Sequence, residues 1–158
     1  MLTKKKWIIA SCLISLLIAS LVILSKFRSN ATSRENVQLE RSLSQAIIEK
    51  GTSGAVTIID FKDVTKFEWD KVYIFQPYTS PTTINKELGY EWEMAQHTGI
   101  EMFDSFTLIV FTKQGKVVSY LRLPYSSAYF DSEVRNYYTR DEATFKIEIK
   151  DGLRILTK

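Results

Sequence analysis

Histidine and cysteine are almost absent from this chain, which has one of each among its 158 residues. A zinc site needs several His or Cys ligands, and cysteine–histidine catalysis needs both groups in one place. The sequence therefore predicts no metal site and no such catalytic pair, and it indicates no cofactor. Cys12, which lies in an apolar run, is the single cysteine, so the chain can form no intrachain disulfide. Its own core must therefore hold the folded part together.

Motifs for phosphate binding and for nucleophilic hydrolysis are also missing. The chain contains no G-x-x-x-x-G-K-[ST], no G-x-G-x-x-G and no G-x-S-x-G. Its densest acidic group is interleaved with lysines and matches no calcium loop, which predicts a solvated loop with local ion pairs. A hydrolase in which two distant carboxylates converge is the least favoured hypothesis. The members of this acidic group are Asp60, Asp63, Glu68 and Asp70.

A clustered basic face is absent as well. The first 30 residues hold five basic and no acidic side chains, which leaves 16 Lys and Arg against 18 Asp and Glu in the rest of the chain, a charge of −2. Proteins that bind phosphate backbones concentrate Lys and Arg on one surface. Nucleic acid is therefore not an expected partner.

The longest uncharged run decides the class of protein that the sequence predicts. Residues 7–25 carry no charge and follow three lysines, Lys4 to Lys6. As a helix they would extend about 28 Å, close to the apolar thickness of a bilayer. Because only two basic residues follow the run, the charge bias predicts a cytoplasmic N-terminus. We expect a single-pass inner-membrane anchor with a domain in the periplasm or outside the cell.

Two other readings of this segment remain open. Small residues at Ser29-Asn30-Ala31 would suit cleavage of a signal peptide, and Cys12 would suit lipid attachment. The favoured organisation is an anchor at 1–30, a linker and amphipathic helix at 31–53, and an exported domain at 54–158.

The rest of the chain predicts an α+β domain: an antiparallel sheet of five or six strands with one or two packed helices. A capping box at Thr32 and Glu35 predicts the first helix, which ends at Gly51 and either packs on the domain (favoured) or forms a stalk. Ser80-Pro81 and Gly89 bound the second helix. Strands are predicted at 55–59, 71–76, 106–113, 116–123, 143–149 and 153–156. The second and third are apolar on both faces, which predicts interior strands, and the clean alternation at 143–149 predicts a strand toward the edge.

One part of the chain resembles a known group of proteins. The run F-E-W-D-K-V-Y-I-F-Q-P-Y-T at 67–79 is followed by I-x-x-x-L-G-x-x-W, by L-I-V-F-T-K-Q-G-K-V-V-S-Y at 108–120 and by Y-T-R-D-E-A-T-F at 138–145. This order is similar to that of an uncharacterised family of small bacterial membrane-anchored or exported proteins. The resemblance implies an envelope protein and no reaction. In relatives a basic residue follows Leu123-Pro124, where this chain has Tyr125.

Three aromatic residues form the candidate ligand-binding site of the sequence. Trp69, Tyr78 and Trp92 flank a predicted strand and helix, and their polar edges would suit the rim of a groove for a sugar or peptide. Alternatively, they close the ends of the sheet, which the sequence favours. The leading hypothesis is thus a membrane-anchored domain that binds another protein in the envelope without catalysis. The second is a binder of a small molecule or cell-wall ligand through the aromatic rim.

Overall fold

The computed structural model describes residues 36–52 and 57–158, together with Ser20. Apart from Ser20, the predicted anchor lies outside the described residues, as do Thr32 and Glu35. None of the helices in the described ranges has the length and apolar character needed to span a bilayer. Residues Arg34–Lys158 form one compact unit.

The first helix, α1 (Val37–Gly51), packs on this unit and begins later than predicted. Its N-cap is Asn36 rather than Thr32, because the Asn36 side chain accepts a hydrogen bond of 2.9 Å from the backbone of Leu39. Leu39, Leu43 and Ile47 are buried in the main core. The prediction that this apolar face packs on the domain is confirmed.

The strands of the described residues are β1 (Thr57–Asp60), β2 (Lys71–Phe75), β3 (Phe106–Lys113), β4 (Lys116–Pro124), β5 (Tyr129–Phe130), β6 (Tyr137–Thr139), β7 (Thr144–Lys150) and β8 (Leu153–Thr157). They form two four-stranded sheets in place of the single predicted sheet. We call the sheet with the order β4-β3-β2-β6 the central sheet, and the one with the order β1-β7-β8-β5 the outer sheet. All neighbours are antiparallel except β5 and β8. The α+β class is confirmed, and the single sheet is wrong.

The two short strands, β5 and β6, explain the difference. They lie in the aromatic stretch at 125–138, where the sequence shows no regular period, and β6 extends one residue beyond it. Two or three residues are too few to establish an alternating pattern. In the structure β6 pairs with β2, and β5 pairs with β8 on the other sheet. One short stretch of chain therefore supplies an edge strand to each sheet.

The central sheet is buried on both faces. Val72 and Ile74 of β2 join the main core, which also contains residues of the outer sheet and of α1. Tyr73 and Phe75 point to the other face, into a second core beneath helix α3 (Pro81–Leu88). The prediction that β2 and β3 are interior strands is confirmed.

The prediction for β7 is wrong in one respect. This strand alternates as expected as far as Ile147, with Phe145 and Ile147 buried and Lys146 exposed, but Ile149, which the alternation places inward, is 51% exposed. It nevertheless lies between β1 and β8 and not at the edge. The alternation indicates only that one face of the outer sheet is exposed to solvent. Because every strand of such a sheet has one exposed face, an inner strand shows the same pattern as an edge strand.

The signals at both ends of α3 and at the turn between β7 and β8 are reproduced. Ser80 Oγ accepts a hydrogen bond of 3.2 Å from the backbone of Thr83 and caps α3, which stops at Gly89 with φ 77°. Asp151 and Gly152 both have positive φ and join β7 to β8, as is typical of an Asp-Gly pair in a two-residue hairpin turn.

A capping box follows β6 and makes the stability depend on pH. The Glu142 carboxylate accepts hydrogen bonds from the backbone (3.0 Å) and hydroxyl (2.8 Å) of Thr139, and Arg135 donates to it at 3.3 Å. These contacts lower the pKa of Glu142 to about 2. A lowered pKa in the folded state stabilises the fold above the ordinary carboxyl pKa, and this stabilisation is lost as the pH falls towards 2.

We therefore expect Glu142→Gln to be less stable than the parent at pH 7, and we expect the difference to shrink below pH 4.5. Urea unfolding of both proteins at pH 7, 4 and 2.5 measures it. Thr139→Val, which removes one donor, should weaken the same pH dependence. A difference that stays constant with pH would contradict this assignment.

Candidate functional site

The three aromatic residues of the predicted rim lie in different environments. Trp69 is 1% exposed in the main core, where its ring meets Phe111 edge-on at 5.1 Å. Its indole nitrogen donates a hydrogen bond of 2.8 Å to the hydroxyl of Thr65. Trp69 is therefore not available at a surface groove.

Trp92 lies on the other side of the central sheet, and Tyr78 lies on the surface. Trp92 is 5% exposed in the second core, with Tyr120 at 5.1 Å. Tyr78 is 65% exposed. The structure does not bring the three residues together in one groove, and each of them defines a separate region.

The acidic group does not form a site either. Asp60 caps the short helix α2 (Phe61–Val64) and lies 3.6 Å from the Lys62 ammonium. Asp70 accepts a hydrogen bond of 2.6 Å from the backbone of Gln114. Within the described ranges no three potential metal ligands cluster. The interpretation of this loop as solvated with local ion pairs agrees with these contacts.

An exposed apolar patch lies at the loop that precedes β3. Met102 is 71% and Phe103 53% exposed, and the backbone of Tyr78 donates a hydrogen bond of 2.8 Å to Ile100 in the same loop. We call Tyr78, Met102 and Phe103 the tip patch. The Asp104 carboxylate lies beside Tyr78 and raises the pKa of its hydroxyl. Large apolar side chains gathered at a surface are typical of binding sites.

Tyr78 is held in an unfavourable backbone conformation. Its φ is 66°, in the left-handed region, which costs a residue with a Cβ about 1–2 kcal/mol. Because the ring is largely exposed, burial does not offset this cost. Strain of this kind is concentrated at functional sites.

Tyr78→Gly tests whether the backbone conformation of Tyr78 lowers the stability of the fold. Glycine adopts positive φ without strain, so we expect the free energy of unfolding to stay equal or to rise by up to about 1 kcal/mol, net of glycine's greater freedom in the unfolded chain. Thr79→Gly is the control, because Thr79 has no positive φ and its hydroxyl bonds to the Gln76 carbonyl at 2.6 Å. Urea unfolding should show a loss of stability only in the control. A lower free energy of unfolding in Tyr78→Gly would contradict the conclusion that the backbone of Tyr78 is strained.

A shallow groove of about 600 Å³ adjoins the tip patch. Phe103 forms part of both, and Tyr125 lines the groove near the end of β4. Burial raises the pKa of the Tyr125 hydroxyl. Its other lining residues are Glu40, Ser105, Phe106, Arg122, Pro124 and Ser126.

A second concavity, which we call the α3 pocket, has a volume of about 410 Å³. It lies between α3 and the short 3₁₀ helix Glu93–His97. The Asn85 side-chain oxygen accepts a hydrogen bond of 2.9 Å from the backbone of Trp92 and holds the loop against the helix. The pocket is lined by Pro81, Thr82, Asn85, Glu91, Trp92, Glu93 and Gln96.

Sequence reasoning did not identify the tip patch or the α3 pocket. Only the E-W-E alternation at 91–93 signalled that Trp92 has carboxylates on both sides. Met102 and Phe103 stand in a segment without period, so nothing in the sequence distinguishes them from core residues. Comparison of the chain with protein-family models, with curated proteins and with solved structures finds no significant match to any of them.

Proposed function

We propose that this chain is a single-pass envelope protein whose domain lies outside the cytoplasm and binds another protein through the tip patch, without catalysis. The observation that carries the proposal is the exposure of three large side chains on one loop and its neighbour. The strained backbone of Tyr78 supports it, because a tyrosine that contributes little to the core is maintained at a cost in stability.

The anchor part of the proposal is supported by the sequence. The uncharged run at 7–25 has the length of a transmembrane helix, and three lysines precede it. The resemblance to small membrane-anchored or exported proteins points to the same location.

The charges around the tip patch indicate the chemistry of the partner. Glu101 and Asp104 flank Met102 and Phe103 in the chain, residues 98–106 contain no basic side chain, and Arg122 is the one basic residue of the described ranges that lines the adjoining groove. Complementary potentials speed association and select partners. The expected partner therefore presents an apolar surface bordered by Lys or Arg.

Photocross-linking in intact cells tests the interaction. Benzoylphenylalanine placed at Phe103 should give a specific adduct in the membrane fraction, whereas the same group at Leu153, which is exposed to a similar degree on the outer sheet, should not. Reversing the acidic border with Glu101→Lys and Asp104→Lys should abolish the adduct, and Glu133→Lys should leave it intact. Equal adducts at both positions, or none at either, would refute a partner at the tip patch.

Protease treatment of spheroplasts tests the location separately. Residues after the anchor should be digested in spheroplasts and protected in intact cells if the domain faces the periplasm. Complete protection in spheroplasts would overturn the proposed orientation, whatever the cross-linking shows.

A further inference from the structure

Trp92, one of the residues that line the α3 pocket, carries a buried hydrogen-bond donor without a partner among the described residues. The Nε1 atom of Trp92 is inaccessible to solvent and bonds to no atom of the described residues. An unpaired buried donor costs about 1–3 kcal/mol, so buried donors without a partner are uncommon. The cost is recovered when a ligand supplies an acceptor, and such a ligand must displace the side chains that cover the nitrogen.

The other groups around the pocket include both hydrogen-bond acceptors and a hydrogen-bond donor. Glu91 and Glu93 are exposed carboxylates that take part in no ion pair within the described ranges, and carboxylates only accept. The Asn85 oxygen is occupied by the Trp92 backbone, so its amide nitrogen is the part left for a ligand, as a donor. A suitable ligand must therefore accept and donate within a small volume.

These requirements exclude two classes of ligand. An anion would be repelled by Glu91 and Glu93, and a simple cation would satisfy the carboxylates but leave the indole N–H unpaired. A hydroxyl group both donates and accepts, and it forms strong bonds with carboxylates. Apart from Pro81 and the ring of Trp92, the lining is polar, which disfavours an apolar peptide.

We propose that the α3 pocket binds a neutral saccharide unit, with an acceptor of the sugar on Trp92 Nε1 and sugar hydroxyls on Glu91 and Glu93. The volume of about 410 Å³ lies within the range of small-molecule sites. This site is distinct from the tip patch, and it does not depend on the proposed protein partner.

Titration with the β-1,4-linked trimer of N-acetylglucosamine tests the proposal, because its acetamido carbonyl supplies the acceptor. The full chain is purified in a detergent without a sugar head group, and binding is followed by calorimetry and by the indole N–H signals in NMR. The chain has three tryptophans, and Trp92→Phe identifies the Trp92 signal by its loss. We expect the trimer to bind and to shift that signal, while spermidine and inorganic phosphate do not.

Trp92→Phe separates binding from folding. It retains a ring against Tyr120 and removes the unpaired donor, so we expect the melting temperature to change by less than about 5 °C and the affinity for the trimer to fall about tenfold. Glu91→Gln and Glu93→Gln, both at exposed positions, should weaken binding, and Glu133→Gln should not. Binding of spermidine alone, unchanged affinity in Trp92→Phe, or no binding at millimolar trimer would each overturn the proposal.

Discussion

Replacement of Trp69 by alanine is expected to lower the free energy of unfolding by about 3–5 kcal/mol. The indole is 1% exposed, meets Phe111 at 5.1 Å, and lies beneath the Arg140 guanidinium at 5.3 Å. Alanine removes these contacts and the hydrogen bond to Thr65, and it leaves a large cavity. Since single domains are stable by about 5–15 kcal/mol, much of the molecule's stability would be lost. Urea unfolding followed by circular dichroism measures the change.

Tyr78→Ala is the matched control for Trp69→Ala. Both positions carry an aromatic side chain of the predicted rim, but Tyr78 is 65% exposed. We expect its replacement to change the stability by less than about 0.5 kcal/mol and to eliminate the cross-link from the tip patch. A large loss of stability in Tyr78→Ala, or a small one in Trp69→Ala, would contradict the placement of these residues.

Replacement of Phe61 by alanine should be comparably severe, again about 3–5 kcal/mol. Phe61 has no exposed surface, and its ring lies 5.1 Å from Phe145, 6.2 Å from Phe111 and 6.4 Å from Phe130. Its neighbours come from both sheets, so the cavity would weaken the contact between the sheets. The slope of stability against urea should stay that of the parent, because the same surface is exposed on unfolding.

Phe103→Ala is the control for this second substitution, because Phe103 is 53% exposed at the tip patch. It should leave the midpoint of unfolding nearly unchanged. Phe61 and Trp69 both contact Phe111, so the double alanine variant should depart from additivity by about 0.5 kcal/mol or more. Strict additivity would show that Phe111 does not couple them.

The sequence predicts those parts of the fold that depend on local interactions. The caps of α3 and the turn at Asp151-Gly152 are determined by residues within a few positions of one another, and each follows from its local chemistry. Apolar residues on both faces of β2 likewise signal burial. None of these signals says which strand lies beside which, because pairing partners are distant in sequence, and the division into two sheets could not be derived.

The candidate site was harder to predict for a related reason. Trp69 and Trp92 are alike in sequence, yet the first fills the main core and the second borders a pocket. Phe61 follows a strand directly and precedes charged residues, a context that also suits an exposed position. Whether an aromatic side chain is buried depends on which distant residues cover it, and its own neighbours in the chain contain little of that information.

The pairing of β1 with β7 affects how the protein can be synthesised. Thr57 lies opposite Ile147, so the first strand has no partner until about 90 further residues have been synthesised. At about 5–20 residues per second, the intervening 90 or so residues take roughly 5–18 s to make. During this interval the outer sheet cannot form. For a domain that lies outside the cytoplasm, as proposed above, late closure of this sheet would leave the polypeptide unfolded while it crosses the membrane.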